Sequence, residues 1–130
     1  MIRAHRAAAE TALTDAGVTV YQPGKVPTDP EMPYALLDLD PGSRRSYRLS
    51  SESDNVRFRL SVRYFGVTTA QAEWAAEHVD EALADVPLDV PGRDCTPCRN
   101  ESGRPVRLDD TDDPHMFGGS STWTFTSTHA

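Results

Sequence analysis

The chain has 130 residues, of which 38% are hydrophobic and 25% charged, and its formal net charge is −7. This length favours one domain spanning residues 1–130, and the composition excludes a wholly disordered chain. An acidic balance argues against a DNA-binding module, since such modules are usually basic. No apolar run reaches the roughly 20 residues of a membrane span, and the N-terminus lacks a signal peptide's apolar segment. We therefore expect the protein to be made and kept in a cytoplasm.

The first part of the chain predicts one helix followed by two strands. The alanine-rich residues 2–16 predict a helix with its C-cap at Gly17. Residues 18–21 predict a short strand, and a proline-rich connection leads to a second strand over residues 34–40. The polar residues 43–54 predict a loop with a short strand inside it.

The clearest pattern is the alternation of apolar and polar residues over positions 56–65, which predicts a strand with one buried face. Gly66 is expected to end this strand. Thr68 and Gln71 have the spacing of a capping box, which predicts that a helix begins there and runs to Pro87. Its buried stripe is predicted to contain Trp74, Ala75, His78, Val79, Ala82, Leu83 and Val86.

The last third predicts three further strands, over residues 88–90, 104–108 and 121–128, with an acidic loop over residues 109–114. Pro105 marks the second of these as an edge strand, because proline cannot donate to a central ladder. Together the elements predict an α+β fold: a mostly antiparallel sheet with two helices packed on one face.

Cys95 and Cys98 have CxxC spacing, which is compatible with a redox pair, a disulfide or half of a metal site. A structural zinc takes four ligands, and no second pair of this kind accompanies the first. A thioredoxin-like pair should open a helix, whereas the flanking residues here predict a hairpin. The sequence therefore favours incidental cysteines in a strand or turn.

Other candidate sites are weaker. Asp109, Asp110, Asp112 and Asp113 could bind a hard cation, but they lack the glycine and distal Glu of a calcium loop, which favours a solvated turn. The four histidines are scattered, and no nucleophile elbow, phosphate loop or zinc-hydrolase helix occurs. We predict no catalytic residues, no metal site and no cofactor.

Arg57, Arg59 and Arg63 are the residues that we single out, since all three project from one face of the alternating strand, opposite its apolar face. One interpretation is the solvated outer face of a one-sided sheet. Another is an interface at which the guanidinium groups bind carboxylates of another subunit. Phosphate contact is a third interpretation, which the acidic net charge disfavours.

The order of these elements resembles the tail terminator family of long-tailed bacteriophages, also called tail completion or minor tail proteins. The resemblance is carried by the opening helix leading into residues 18–21, by residues 33–37, by residues 62–66 leading into the second helix, and by residues 123–128. The cysteine pair lies outside this family pattern.

The resemblance implies a hexameric ring in the virion that caps the tail tube and joins it to a head-side connector or stopper protein. Loops 22–33 and 41–54 would contact those partners, DNA would pass through the lumen without specific binding, and no membrane would be involved. Alternatives are another neck component, such as a head-closure or adaptor protein, a host regulatory or toxin-associated module, and a small enzyme using Cys95 and Cys98.

Overall fold

A computed structural model of the chain describes residues 2–41, 55–109 and 116–129. These residues form two helices and six strands. In chain order they are α1 (Ile2–Asp15), β1 (Thr19–Tyr21), β2 (Tyr34–Asp40), β3 (Val56–Gly66), α2 (Thr69–Leu83), β4 (Arg93–Cys95), β5 (Arg99–Asp109) and β6 (Met116–His129). The predicted loop over residues 43–54 and the acidic residues 110–114 lie outside the described residues.

The strands form one mixed sheet in the order β1-β2-β3-β6-β4, with β5 also paired to β6. Among the described strands, β1 and β2 make the parallel pair and all other pairs are antiparallel. β4 and β5 lie one after the other along the same edge of β6, where Cys95 faces Ser127 and Arg99 faces Thr124. The predicted α+β class and the mostly antiparallel sheet are confirmed.

Both helices pack on one face of this sheet, and the core lies between the two layers. The sheet contributes every second side chain of its central strands, so the period-two alternation of β3 sends Phe58 and Leu60 inward. Trp123 and Phe125 of β6 lie opposite them. The other side of the sheet is covered by no helix of the described residues, and we call it the open face.

The turn from β3 into α2 follows the predicted capping box. The side chain of Thr68 accepts a hydrogen bond from the backbone N–H of Gln71 at 3.1 Å, and Gln71 Oε1 accepts one from the N–H of Val67 at 2.9 Å. A Cβ at Gly66 would lie 2.6 Å from the backbone nitrogen of Ala72, so a side chain there would prevent the helix from starting so close to the strand.

The buried stripe of α2 differs from the prediction. Trp74 is 40% exposed and Val86 lies beyond the helix, whereas Ala72 is buried together with the correctly predicted Ala75, Val79 and Leu83. Small residues on this side let the helix approach the sheet closely, and the indole therefore lies outside the contact. The helix also ends earlier than predicted, at Leu83.

Further differences concern α1, residues 88–90 and β5. Ile2 is exposed, and α1 buries His5, Ala9 and Leu13. Residues 88–90 form no strand, because prolines on both sides of this segment interrupt ladder bonding, although Leu88 and Val90 are buried. β5 is longer than predicted, and breaks in its register lie on both sides of residues 102–104.

Candidate interaction surface

Arg57, Arg59 and Arg63 are exposed and project from the open face. Their common side follows from the alternation of β3, whose apolar positions are held inward by the two helices. The sequence prediction that the three side chains share one face is therefore confirmed. Contact of these side chains with another subunit is a separate hypothesis, which depends on the charges that the neighbouring strands bring to this face.

Strand pairing brings three more arginines to the same face. In the register of the sheet, Arg63 and Arg104 both face Ser120, and Arg59 and Arg99 both face Thr124. Among the described residues, the open face thus carries six arginines, which are Arg57, Arg59, Arg63, Arg99, Arg104 and Arg107. Among the described side chains, four carboxylates share this face, those of Asp38, Asp40, Asp94 and Glu101. An acidic chain therefore has one face with an excess of positive charge.

One of these arginines is paired within the chain. Arg59 Nε lies 2.9 Å from Glu101 Oε1, and Arg59 Nη2 donates to Glu101 Oε2 at 3.2 Å. Both side chains are exposed, so the pair contributes about 1 kcal/mol or less to folding. Within the described residues, neither Arg57 nor Arg63 forms such an ion pair. These two guanidinium groups are therefore available to a partner.

A groove of about 790 Å³ crosses the open face near the start of β2. Its apolar side chains include Tyr34, Leu36 and Phe65, and its charged ones are Arg63, Arg104 and Arg107. Gly118 lines this groove and leaves room for the ring of Phe65. A Cβ there would lie 3.1 Å from Cδ1 of Phe65, so the aromatic ring occupies the space above the glycine. We call this feature the arginine groove.

The aromatic part of the arginine groove is fixed by ring contacts. The Tyr34 and Phe65 ring centroids are 5.2 Å apart, and those of Tyr34 and Tyr21 are 5.5 Å apart. Rings held at these distances stabilise one another and keep a defined shape. The groove is thus a preformed apolar surface with cations at its rim.

The solvent side of α2 has the opposite charge. It carries Glu73, Glu77, Asp80 and Glu81, and the helix contains no Lys or Arg. Trp74 lies among these acids and stacks on His78, with ring centroids 3.8 Å apart, while His78 Nδ1 lies 2.8 Å from the carbonyl oxygen of Trp74. The two sides of the protein therefore differ in charge, and the α2 side displays an exposed aromatic side chain, that of Trp74.

Residues 2–124 match the family model described as tail completion protein gp17. The chain belongs to this family. A tail completion protein is a structural part of a phage tail, and it is found in the virion. No helix of the described residues is long and apolar enough to cross a membrane.

Solved structures share the fold of this tail completion protein. A chain from the virion of a native gene transfer agent particle superposes with a TM-score of 0.69 at 16% identity, covering 94% of this chain and 92% of that one. A second solved chain has a TM-score of 0.61 at 16% identity, covering 98% and 96%. At such identities the likeness shows the fold alone. No curated protein matches the sequence.

The cysteine pair of the tail completion protein lies where β4 ends and β5 begins, as the prediction of a strand or turn implies. The predicted hairpin is wrong, because β4 and β5 both pair antiparallel with β6 along one edge and so run in the same direction. Cys95 is half-buried and Cys98 is buried, and neither is in a disulfide. Burial raises the pKa of Cys98 to about 12, and the charge of Cys95 adds to that rise. Burial also raises the pKa of Cys95, although a hydrogen bond with Ser127 and the charge of Arg93 partly offset it. Both thiols are therefore protonated at neutral pH, the form that is poorest at nucleophilic attack and metal binding.

A buried polar cluster was not predicted from the sequence. His5 Nε2 lies 2.8 Å from Ser127 Oγ, Arg93 Nε donates to the same oxygen at 2.9 Å, and Arg93 Nη2 donates to the Ser127 carbonyl at 2.9 Å. The His5 ring stacks on Phe58 with centroids 4.3 Å apart. A serine beside a histidine suggests a nucleophile, but both side chains are fully buried, so no substrate reaches the hydroxyl. The cluster instead attaches α1 to the sheet.

The sequence did contain one signal for this cluster. His5, Ala9 and Leu13 recur every four residues, which places them on one side of α1. The serine partner lies 122 residues away, so no local pattern could have named it. For metal binding, the described residues contain no group of three or more His, Cys, Asp or Glu side chains that could hold an ion.

Proposed function

We propose that this tail completion protein forms a closed ring of six copies that ends the tail tube and joins it to a head-side connector. The ring would act by occupying the end of the tube, so that no further tube subunit can add. In this account the 130 residues form one domain that works by contact and carries out no reaction. The observation that carries the proposal is an arginine-rich sheet face on an acidic member of a tail completion family.

The open face supports an interface between subunits. Arg57 and Arg63 are exposed, and within the described residues neither has an ion-pair partner. Guanidinium groups bind carboxylates in a planar, two-bond geometry, which gives a contact a defined orientation. With 20 acidic residues, a second copy of the same chain offers such carboxylates. We assign Arg57, Arg59 and Arg63 to this interface, where Arg59 also keeps its bond to Glu101.

Passage of DNA gives a second reason to place the arginines in contacts between subunits. A lumen lined by six arginines per copy would bind phosphates and slow the genome. Each copy has a net charge of −7, so a hexamer in which the arginines are covered would expose mainly acidic surface. Such a surface repels phosphate, although salt limits its reach to roughly 8 Å at physiological ionic strength.

Residues 22–33 are proposed to contact the tail tube protein or the connector. None of their side chains is buried, and they form a connection with no helix or strand between β1 and β2. Connections of this kind can adjust to a partner without disturbing the core. The predicted contact of residues 41–54 falls, beyond Pro41, outside the described residues and stays a prediction.

The function is tested by electron microscopy of particles assembled without the protein. We expect tails of abnormal length that are not joined to heads, and we expect the purified protein to restore normal particles. Tails of normal length beside leaking heads would instead assign the protein to head closure.

The interface is tested with the double substitution Arg57→Glu and Arg63→Glu. It should prevent ring formation while leaving the urea midpoint of the monomer almost unchanged, because both side chains are exposed. Arg3→Glu is the matched control, since Arg3 is exposed on α1, away from the open face. Normal rings from the double variant would mean that the three arginines belong to a solvated face and not to an interface.

A further inference from the structure

Trp74 gives the solvent side of α2 an aromatic anchor. Trp74, Glu77 and Glu81 are separated by three and four residues, so they lie along one side of the helix. All three are exposed, and Trp74 is held in place by its stack on His78. An ordered, exposed tryptophan among charged residues has the composition of an interface hot spot. We call these three residues the α2 stripe.

The arginine groove has the complementary chemistry. Its half-buried Phe65 ring, held by contact with the buried ring of Tyr34, can pack against an indole ring. Its guanidinium groups can stack on the same ring or bind carboxylates beside it. Arg104 and Arg107 lie on β5, an edge strand of the described sheet, so a partner can reach them from outside.

We infer that the arginine groove of one copy binds the α2 stripe of the next copy. This inference rests on the proposed ring and names the two surfaces that form it. The stripe and the groove lie on opposite sides of one sheet, so they cannot meet within a single copy. Each copy would therefore use its groove for one neighbour and its stripe for the other, which is the head-to-tail contact that closes into a ring.

Position along the sheet is consistent with this arrangement. Trp74 lies in a shallow depression beside Pro33, and the next residue, Tyr34, lines the groove. The groove and the Trp74 end of the stripe thus lie at the end of the sheet where β2 begins and β3 ends, and Glu77 and Glu81 lie further along, beside Tyr64 and Trp123. Neighbouring copies can then contact each other side by side at this end, and the other end of the sheet stays open to different partners.

The first test is the substitution Trp74→Ala, followed by native mass spectrometry over a range of protein concentrations. Removing a hot-spot tryptophan should raise the concentration needed for half-assembly by more than about tenfold. Val86→Ala is the matched control, because Val86 is an exposed apolar residue beyond the other end of α2. An unchanged ring from Trp74→Ala would overturn the inference.

The second test exchanges charges between two variants. Variant A carries Arg104→Glu and Arg107→Glu, so its groove should repel the acidic stripe. Variant B carries Glu77→Arg and Glu81→Arg, so its stripe should be repelled by an arginine groove. Neither should form rings alone, but a mixture should, because the groove of A accepts the stripe of B and the groove of B accepts the stripe of A.

Copies of A and B must alternate around a mixed ring, which makes the expected composition of that ring specific. The mixed ring closes only with an even number of copies, so a hexamer should contain three of A and three of B. The control pair Asp15→Arg and Asp89→Arg changes exposed acids near α1 and should form normal rings alone. Failure of the A and B mixture, or rings from either alone, would overturn the inference. Absence of rings from the wild-type protein would instead remove the proposed function and this inference with it.

Discussion

The substitution Ser127→Ala tests whether the buried cluster holds α1 against the sheet. The Ser127 hydroxyl lies between His5 Nε2 and Arg93 Nε, at 2.8 Å and 2.9 Å. Alanine leaves the backbone of β6 unchanged and removes only the oxygen. Arg93 keeps its bond to the carbonyl of residue 127. The measured loss therefore reports the hydrogen bonds of one buried atom, chiefly the two with His5 and Arg93, since its further bond with the Cys95 thiol is a weak one.

The expected loss follows from the nature of these two bonds. A neutral hydrogen bond contributes about 0.5–1.5 kcal/mol and one with a charged donor about 1.5–3 kcal/mol. Because Ser127 and His5 are fully buried, water cannot replace the hydroxyl. We expect Ser127→Ala to lower the free energy of unfolding by about 2–4 kcal/mol, a large part of the ~5–15 kcal/mol that stabilises a typical protein.

Urea unfolding followed by tryptophan fluorescence measures this loss. Ser61→Ala is the matched control, because Ser61 is a half-buried serine on the open face of β3, and its substitution should change stability by less than about 0.5 kcal/mol. A double-mutant cycle with His5→Phe should give a coupling energy of about 1 kcal/mol or more. A loss below about 0.5 kcal/mol for Ser127→Ala would refute the reasoning, since it would mean that the cluster does not stabilise the fold.

Two further predictions concern the tryptophans and the thiols. Trp123→Ala should lower the free energy of unfolding by about 3–5 kcal/mol because Trp123 is buried, whereas Trp74→Ala should lower it much less. Equal losses in urea unfolding would contradict the exposure of Trp74. Folding raises the pKa of the Cys98 thiol from 9.0 to about 12. Below pH 9 the thiol is protonated in both the folded and the unfolded chain, so it does not make the free energy of unfolding depend on pH. As pH rises from 9 towards 12, the thiol ionises in the unfolded chain alone, and stability falls by up to about 1.4 kcal/mol per pH unit. Cys98→Ala should flatten this fall in urea titrations at pH 8–11, and an unchanged slope would argue that the thiol is not desolvated.

The elements that the sequence predicted well are those whose patterns are local. The ends of β2 and β3, the C-cap at Gly17 and the capping box at Thr68 all follow from residues within a few positions of one another. The resemblance to the tail terminator family is confirmed by the family match. It rests on the order of elements, which survives when individual residues change.

The errors have a common physical cause, since they depend on which elements meet in space. Hydropathy placed Trp74 in the core, but the sheet approaches α2 over alanines. His5 looked like a scattered histidine because its partner lies on β6, at the other end of the chain. β5 was predicted as five residues because its polar start has no strand pattern, and pairing with the long strand β6 extends it.

The candidate surface could be predicted only in part, because some of its arginines meet only when the strands pair. Arg57, Arg59 and Arg63 belong to one strand, so alternation alone places them together. Arg104 and Arg107 join them only because β6 lies between β3 and β5 in the sheet. Strand order is a property of the folded chain, and the arginine groove could not have been recognised without it.

The most direct test of the account is the mass of the wild-type assembly, measured by native mass spectrometry with and without tail tubes. One chain has a mass of 14.3 kDa, so six copies should give a species of about 86 kDa (six times 14.3 kDa). Such a species, alone or released from tube ends, is what the account predicts. A protein that stays at the mass of one chain, even when tubes are present, would contradict the claim that it works by binding copies of itself.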